Sequence, residues 1–325
     1  MTPTFKLLAD FGDITQTIAE RLLSLKVTDE SGIESDMLEL YLDDRNSTIQ
    51  MPSTGTELEL SLGYKETGVR QIGLYTVDTV NIEGPPDAVV IRARAANFTQ
   101  SFKAQVTKSW EKKTINSIVS TIAGKHDLAP VVSSVLKNTL VGRVDQVSES
   151  DMHFLTRLGK TYGAITKPVM NKLLFVPEGE AKTATGKSMP TVNIGRDALT
   201  RWAFSYKDRE KYKAVTASWH NAGTGVTKIV RAGSKLAKTV FNIRDSFPDA
   251  ATAQAAANAK LKQLKQGTVT GSITLPGDMR LAAEGFLVLE GFNNLPDAEW
   301  IIKQVTHSLS DGGLTTTATL ARKEK

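Results

Sequence analysis

Two segments near the N-terminus of this chain of 325 residues alternate strictly between apolar and polar side chains. MLELYL at 37–42 places its leucines on one face, and ELELSLGY at 57–64 does the same, with Glu57 and Glu59 on the opposite face. A period of two residues is typical of a β-strand with one buried face. Two more alternating segments follow, separated by glycine-containing turns. Residues 1–100 are therefore predicted to form a small β-barrel or sandwich.

The pattern changes to a helical period after residue 100. In KSWEKKTINSIVSTIAGKHDL the apolar residues recur every three or four positions, with Thr114 as a candidate N-cap and Gly124 as a candidate C-cap. A second helix is predicted at 145–164, and short alternating strands follow it. Residues 101–195 are thus predicted to be a helical or mixed middle region.

Alternation returns in the last part of the chain. EWIIKQVTHSL and LTTTATLARK both alternate, and the SDGG between them is a hairpin signal. An alanine-rich segment at 249–266 interrupts this region and is predicted to be a helix, because alanine favours helices and basic residues lie near its end. The predicted fold class is α+β. It has two small antiparallel β-barrels, the second over 196–325 with one inserted helix, and a helical or mixed middle region.

The segment DQVSESDMHFLTRLGKTYGA at 145–164 contains acids, a histidine and bases within one predicted helix. A helix turns about 100° per residue, so its apolar side chains fall on one broad arc, with Glu149, His153 and Arg157 on the other side. Two arrangements could provide the N-cap, Ser148 with Asp151 or Ser150 alone. The acids lie in the first turn and the bases later, as the helix dipole favours. We interpret the segment as a structural helix whose charged face is solvated or contacts a partner chain.

The sequence lacks the residue patterns of most enzymes and metal sites. Cysteine is absent, which excludes disulfides and thiolate-bound zinc. None of the four histidines lies three or four residues from another, and His307 shares the strand parity of Val305 and Leu309, which predicts a packed side chain. Walker, nucleophile-elbow and dinucleotide motifs are missing. We predict no catalytic residue, cofactor or metal, although two carboxylates on facing walls, as in glycosidases, stay an open alternative.

Charge is distributed unevenly along the chain, which carries a net charge of +5. Residues 1–100 contain eight Lys and Arg against sixteen Asp and Glu, a net charge of −8, so the remainder carries +13. An acidic front and a basic rear are compatible with nucleic-acid binding by the rear, with copies that pack front against rear, or with an uneven solvated surface.

The basic segment 196–238 supports an alternative function. Its ten cationic residues are Arg196, Arg201, Lys207, Arg209, Lys211, Lys213, Lys228, Arg231, Lys235 and Lys238. Interleaved aromatic residues could make it a nucleic-acid platform, and the chain would then be a regulator of late genes. However, Trp202, Phe204 and Tyr206 share one face of a strand, which favours burial.

Several segments occur in a distinctive order along nearly the whole chain. The characteristic residues are Ser109, Trp110, 122–124, Gln146, Glu149, Ser150, Asp151, Phe154, Leu155, Arg157, Leu158, Tyr162, Gly163, Ala164, the helix at 249–266, Trp300, His307 and 312–315. In this order they resemble the phage late control D family of tail proteins. These proteins are the baseplate hubs of contractile tails of the P2 type and of R-type pyocins.

The resemblance implies a structural protein and not an enzyme. Hubs of this kind are similar to trimeric rings with two related barrels per chain, so three chains would join a sixfold tail tube to a threefold central spike. The implied partners are the tail tube protein, the spike protein and two further copies of the chain, with wedge or tape-measure proteins as further candidates. The implied location is the baseplate centre of a virion or tail-like particle. The start of the chain shows no signal-peptide pattern and the chain no apolar run of 18 residues, so synthesis in the bacterial cytoplasm, without a membrane anchor, is expected.

The charge asymmetry suggests how such a ring closes. A ring of three uses contacts between different patches of neighbouring copies, and complementary charge would favour them. The candidate interface residues are Glu57 and Glu59 in the first barrel, with Arg196, Arg201, Lys211 and Lys213 in the second.

Overall fold

A computed structural model gives the fold of the chain. The described residues are 1–10, 12–32, 36–95, 102, 104–169, 171–179, 191–206, 212–221, 223–266, 269–293 and 299–323. They contain the strands β1 Pro3–Ala9, β2 Gly12–Asp13, β3 Leu22–Glu30, β4 Met37–Asp43, β5 Glu57–Tyr64, β6 Gly68–Glu83, β7 Ala88–Ala95, β8 Gln105–Thr114, β9 Ala129–Val132, β10 Leu140–Ser150, β11 Ala164–Val169, β12 Lys172–Pro177, β13 Val192–Gly195, β14 Arg201–Tyr206, β15 Ala214–Asn221, β16 Val226–Gly233, β17 Val240–Phe247, β18 Val269–Pro276, β19 Phe286–Glu290, β20 Glu299–Ser310 and β21 Gly313–Arg322. The helices are α1 Thr15–Ala19, α2 Ile115–Lys125, α3 Ser134–Lys137, α4 Asp151–Tyr162 and α5 Ala250–Gln266, with a 3-10 turn at Arg196–Ala198.

One 13-stranded sheet contains strands from both ends of the chain. Its main order is β14-β18-β21-β20-β3-β4-β7-β6-β5-β1-β2, with β19 on β20 and β13 on β19. The alternating segments form β4 and β5 as predicted, and their leucines at 38, 40, 42, 58, 60 and 62 are buried. The first and last parts of the chain meet where β3 pairs with β20, from Glu30 opposite Gln304 to Ser24 opposite Ser310. The two predicted β regions are therefore halves of one sheet.

The prediction of two small barrels is not confirmed. Among the described strands the sheet is an open path that ends at β14 and at β2. Closure within the first half would need β3 to pair with β1 or β2, but the backbone groups of β3 are hydrogen-bonded to β4 on one side and to β20 on the other. The β-structure is also not wholly antiparallel, since β13 runs parallel to β19 and β9 parallel to β12.

Each half of the sheet has its own apolar core. One cluster combines the inward side chains of β1 and β3–β7 with Leu309 and Leu314. A second cluster combines β13, β18, β20 and β21 around Trp300. Strands β20 and β21 contribute to both clusters, so the two cores lie along the same pair of strands.

The middle region packs helices against short strands. Strands β11, β12 and β9 form a three-stranded sheet, and β8 pairs with β10 in a two-stranded ribbon. The apolar faces of α2 and α4 share a core with Trp110 of the ribbon and with Phe175 of β12. Thr114 caps α2 by accepting a hydrogen bond from Ser117 N at 3.2 Å, as predicted.

Of the segment 145–164, predicted as one helix, only Asp151–Tyr162 is helical. Residues up to Ser150 belong to β10, and α4 begins at Asp151. The register of β10 shifts between Gln146 and Glu149 opposite β8. The helical projection could not show this, because Gln146 and the serines can occupy a strand as readily as the first turn of a helix.

Residues 214–266 form a separate layer within the last part of the chain. Strands β16, β15 and β17 make a three-stranded sheet, with β15 parallel to β17. Helix α5, predicted at 249–266, packs on one face of this sheet through Ala253 and Ala257 and also contacts α4. The predicted domain boundaries near residues 100 and 195 stay a prediction.

Candidate functional site

A buried carboxylate, Asp151, fixes the start of α4. Its Oδ2 accepts a hydrogen bond from Lys125 Nζ at 2.7 Å and lies 2.8 Å from His126 Nε2. Its Oδ1 accepts a hydrogen bond from Gln146 Nε2 at 2.9 Å. Trp110 Nε1 donates to the oxygen of the Gln146 amide at 3.4 Å. One carboxylate therefore joins the end of α2, strand β10 and the first turn of α4.

Local sequence explains this position. Ser150 Oγ accepts a hydrogen bond from His153 N at 3.2 Å, so Ser150 alone is the N-cap, which was one of the two predicted arrangements. Burial alone would raise the pKa of Asp151, but the hydrogen bonds from Gln146, Lys125 and His126 outweigh it, so the pKa is lowered. Asp151 is therefore ionised at neutral pH, where it also suits the positive end of the helix dipole.

The apolar residues of the 145–164 segment fill the core of the middle region. Phe154, Leu155 and Leu158 are buried, and Tyr162 is half-buried against the same core. The ring of Phe154 stacks on that of Trp110 with centroids 5.9 Å apart. These side chains are part of the apolar core of the middle region.

The polar face of α4 lines an open cavity of about 620 Å³ next to β10. Within it, Arg157 Nη2 donates to Glu149 Oε2 at 2.7 Å and to the carbonyl oxygen of Asp145 at 2.8 Å. His153 Nδ1 lies 2.9 Å from Glu149 Oε1. Burial would raise the pKa of Glu149, but Arg157 and His153 lower it overall. The charges in this cavity are largely compensated by one another.

Replacing Asp151 by alanine is expected to lower the free energy of unfolding by about 1–3 kcal/mol, because buried donors of His126 and Gln146 lose their acceptor. Urea denaturation followed by circular dichroism measures the change. Asp145→Ala, an exposed acid six residues earlier, is the control and should cost less than about 1 kcal/mol. Equal losses in the two variants would show that the buried network does not stabilise the middle region.

The predicted interface residues lie towards the two ends of the main sheet. Glu57 and Glu59 are on β5, next to β1 and β2 at one end. Arg201 begins β14 at the other end, and Arg196 lies just before it, its guanidinium 5.0 Å from the ring of Trp202. Within the described part of the chain, these two acids form no ion pair with these two arginines.

The rest of the basic segment is only partly described. Lys213 is exposed before β15, and Lys211 lies outside the described residues. Phe204 is half-buried, 5.3 Å from the ring of Trp300, whereas Trp202 and Tyr206 are exposed. The shared face of these aromatics therefore predicted burial correctly only for Phe204, because β14 is the last strand of the sheet.

A charge cluster that the sequence patterns did not predict lies around the buried Lys167, between the middle region and the main sheet. Lys167 Nζ of β11 donates to Asp29 Oδ1 and Asp36 Oδ1, both at 2.7 Å, and to the carbonyl oxygen of Glu30 at 2.8 Å. Asp29 Oδ2 also accepts from Ala283 N at 2.7 Å. Two further links join the same parts, from Lys303 to Glu178 at 2.6 Å and from Gly179 N to Glu284 at 3.1 Å.

The pKa values of this cluster follow from two carboxylates that share one ammonium. Burial and the neighbouring Asp29 raise the pKa of Asp36 to about 7. Burial would also raise the pKa of Asp29, but Lys167 outweighs it, so that pKa is lowered. Burial opposes the charge on Lys167, but the two carboxylates raise its pKa above the usual value. Lys167 is therefore charged at neutral pH.

His307 is buried, as its strand parity predicts. Its Nδ1 lies 2.8 Å from Thr316 Oγ1, and burial lowers its pKa to about 4, so the ring is neutral at pH 7. Among the described residues, no three His, Asp or Glu side chains are grouped so that they could hold a metal ion. No helix in the described ranges is both long and apolar enough to cross a membrane.

Comparison with known proteins identifies tail proteins. The family model for the phage tail baseplate hub (GPD) matches residues 62–313. The probable baseplate hub protein of Escherichia phage 186 is 33% identical and aligns with 97% of this chain and 92% of its own length. The probable baseplate hub protein of Escherichia phage P2 is 32% identical, with 98% and 93% covered. Neither the family nor these relatives support the alternative of a nucleic-acid-binding regulator.

A solved structure shares the fold. The 43 kDa tail protein of prophage MuSo2 from Shewanella oneidensis has a TM-score of 0.73 at 13% identity, with 99% of this chain and 98% of that chain covered. At this low identity the match establishes a common fold.

Proposed function

Because the chain belongs to the phage tail baseplate hub family, we propose that three copies form a ring that joins the sixfold tail tube to the threefold central spike. Such a junction needs a molecule that presents six similar units on one side while having threefold symmetry itself. A chain with two similar units meets this need, because three copies then supply six units.

The observation that carries the proposal is the division of the main sheet into two halves with separate cores. The first half comes from β1–β7 and the second from β13, β14 and β18–β21, and β3 and β20 join them. In the ring, each half takes the place of one barrel, and the six halves face the first ring of tail tube protein. Helices α2–α4 and strands β8–β12 lie outside this repeat and are available to the spike protein or to wedge and tape-measure proteins.

Contacts between neighbouring copies would close the ring at the two ends of the sheet. Strand β14 has a hydrogen-bonded neighbour on only one side among the described strands, and β2 covers only the last two residues of β1. Unpaired strand edges readily accept another chain. The first end carries Arg196 and Arg201, and the second lies beside Glu57 and Glu59, so a head-to-tail contact brings opposite charges together.

This role requires no reaction. The proposed activity is assembly by apolar contacts, edge pairing and charge complementarity, and we assign no catalytic residue or cofactor. The particle is a phage tail or a tail-like bacteriocin, and the protein would act at its baseplate centre.

Sedimentation of the purified protein tests the proposal. The expected result is a species with three times the mass of the chain, seen as a ring in electron micrographs, which binds the tail tube and spike proteins encoded with it. A protein that stays a monomer at all concentrations, and that binds neither of these proteins, would contradict it.

Reversing the charges of Glu57 and Glu59 with the double variant Glu57→Lys/Glu59→Lys is expected to weaken the trimer at least about tenfold, because like charges across an interface cost several kcal/mol. Sedimentation at increasing dilution gives the dissociation constant. Glu66→Lys, at another exposed acid of the same half, is the control. An unchanged dissociation constant in the double variant would show that Glu57 and Glu59 do not lie in the interface.

A further inference from the structure

The hairpin between β6 and β7 carries an exposed tip that is apolar and acidic. Ile82 is 72% exposed. Glu83, the prolines at 85 and 86, and Asp87 follow it and are all exposed. Within the described residues, neither Glu83 nor Asp87 forms an ion pair. The charge of Glu83 also acts on Arg92 of the same hairpin. An exposed isoleucine beside two exposed acids at the end of a long hairpin is unusual on a surface that stays in water.

The small sheet of β15, β16 and β17 has the opposite charge. The described residues 212–221 and 223–247 contain six cationic side chains and one acid, Asp245. These six are Lys213, Lys228, Arg231, Lys235, Lys238 and Arg244, and all are exposed without an ion pair to a described residue. Helix α5 covers one face of the sheet, which leaves the other face and the two outer strands open in the described chain.

Exposed apolar side chains accompany these cations. Ile229 on β16 is 73% exposed, and Leu236 in the following turn is 93% exposed. Val226, at the start of β16, is also exposed. Strand β16 pairs only with β15 among the described strands, so its outer edge has free backbone groups.

We propose that the hairpin tip 82–87 of one copy docks on the basic edge of the small sheet, around Ile229 and Leu236, of the neighbouring copy. This inference rests on the proposed ring, and it adds a second contact besides the one between the ends of the main sheet. Both surfaces are exposed within one chain, so the tip does not already cover the sheet of its own copy.

Charge and apolar character together indicate that the basic edge of the small sheet binds the hairpin tip of a second copy. The tip brings two acids to a sheet with six cations, and Ile82 can pack against Ile229 and Leu236 when water is excluded. A nucleic acid would use the cations but would leave these three aliphatic side chains in water. A second copy satisfies both features, because it supplies an acidic group and an apolar group on one short loop.

Three combinations of charge reversal test the contact, with melting temperature as a check of folding. Glu83→Lys/Asp87→Lys reverses the tip, and Lys228→Glu/Lys235→Glu reverses the sheet. Each pair is expected to raise the dissociation constant of the trimer at least about tenfold. All four changes in one chain should restore most of the affinity, because the tip and the sheet then attract each other again. Ile82→Ser alone should weaken the trimer several-fold through its lost apolar contact.

A mismatched combination gives the control. Glu57→Lys/Glu59→Lys together with Lys228→Glu/Lys235→Glu should not restore affinity, because those acids belong to the other contact. If the wild-type protein is a trimer and neither charge reversal changes the dissociation constant, the docking is overturned but the ring is not. The docking is also overturned, and the ring is not, if each reversal weakens the trimer but the variant with all four changes does not regain affinity. A wild-type protein that is always a monomer would overturn the ring and the docking together.

Discussion

Replacing Lys167 by methionine is expected to lower the free energy of unfolding by about 2–4 kcal/mol, because two half-buried carboxylates lose the ammonium that compensates them. Methionine keeps the length of the side chain, so the loss comes from charge and hydrogen bonds rather than from an unfilled space. Lys167 donates to Asp29, Asp36 and the carbonyl oxygen of Glu30.

Urea denaturation of the purified variant, at a fixed protein concentration, measures this loss. The matched control is Lys160→Met, which removes an exposed lysine of α4 and should change the free energy by less than about 0.5 kcal/mol. If the Lys167 variant lost no more stability than the control, the cluster would not join the middle region to the sheet.

The loss should also depend on pH in a defined direction. Without the ammonium, burial and mutual repulsion hold the pKa values of both carboxyl groups above those of the unfolded chain. A group with a raised folded pKa stabilises the fold fully below its unfolded pKa and loses that contribution as the pH rises through the folded pKa. The Lys167→Met variant should therefore be closer to wild type at pH 5 than at pH 8. Adding Asp36→Asn should reduce this difference, since one of the two carboxylates is removed.

Local patterns in the sequence predicted the elements that depend on local residues. The leucine alternation identified β4 and β5, Thr114 identified the start of α2, and the alanine-rich segment identified α5. In each case about ten neighbouring residues contain the periodicity or the cap, and burial of one face is enough to determine the type of element.

Pairings between distant residues could not be predicted in this way. The contact of β3 with β20 joins residues nearly 280 positions apart, as for Thr28 opposite Thr306. The periodicity of a strand does not indicate which other strand it pairs with. This pairing is the reason that the two predicted barrels are halves of one sheet. Register is fixed by which faces are buried, and that depends on the whole fold.

One local feature of the sequence indicates the charge cluster of Lys167, Asp29 and Asp36. Lys167 lies in AITKPV, a short and otherwise mostly apolar segment that ends in Pro168 and Val169. A lone lysine in such a strand is almost never fully buried unless it is paired. The signal indicates that a carboxylate partner exists, but Asp29 and Asp36 lie about 130 residues away and could be identified only from the fold.

Replacing Trp300 by alanine is expected to lower the free energy of unfolding by about 3–5 kcal/mol, because a large side chain leaves a packed core. Trp300 is 1% exposed and contacts Phe204 at the centre of the second core. The matched control is Trp202→Ala, two residues from Phe204 on β14. Trp202 is 40% exposed, so its loss should cost about 1 kcal/mol.

This comparison also tests whether the two halves of the sheet depend on each other. Strand β20 carries Trp300 in the second core, extends to Leu309 in the first core and pairs with β3. Damage to the second core should therefore be transmitted through β20, and both halves should unfold in one transition that moves to lower urea. Two separate transitions, with only one of them shifted by Trp300→Ala, would show that the halves fold independently. The proposed ring would then consist of six autonomous units, whereas a single transition would mean that it consists of three continuous sheets.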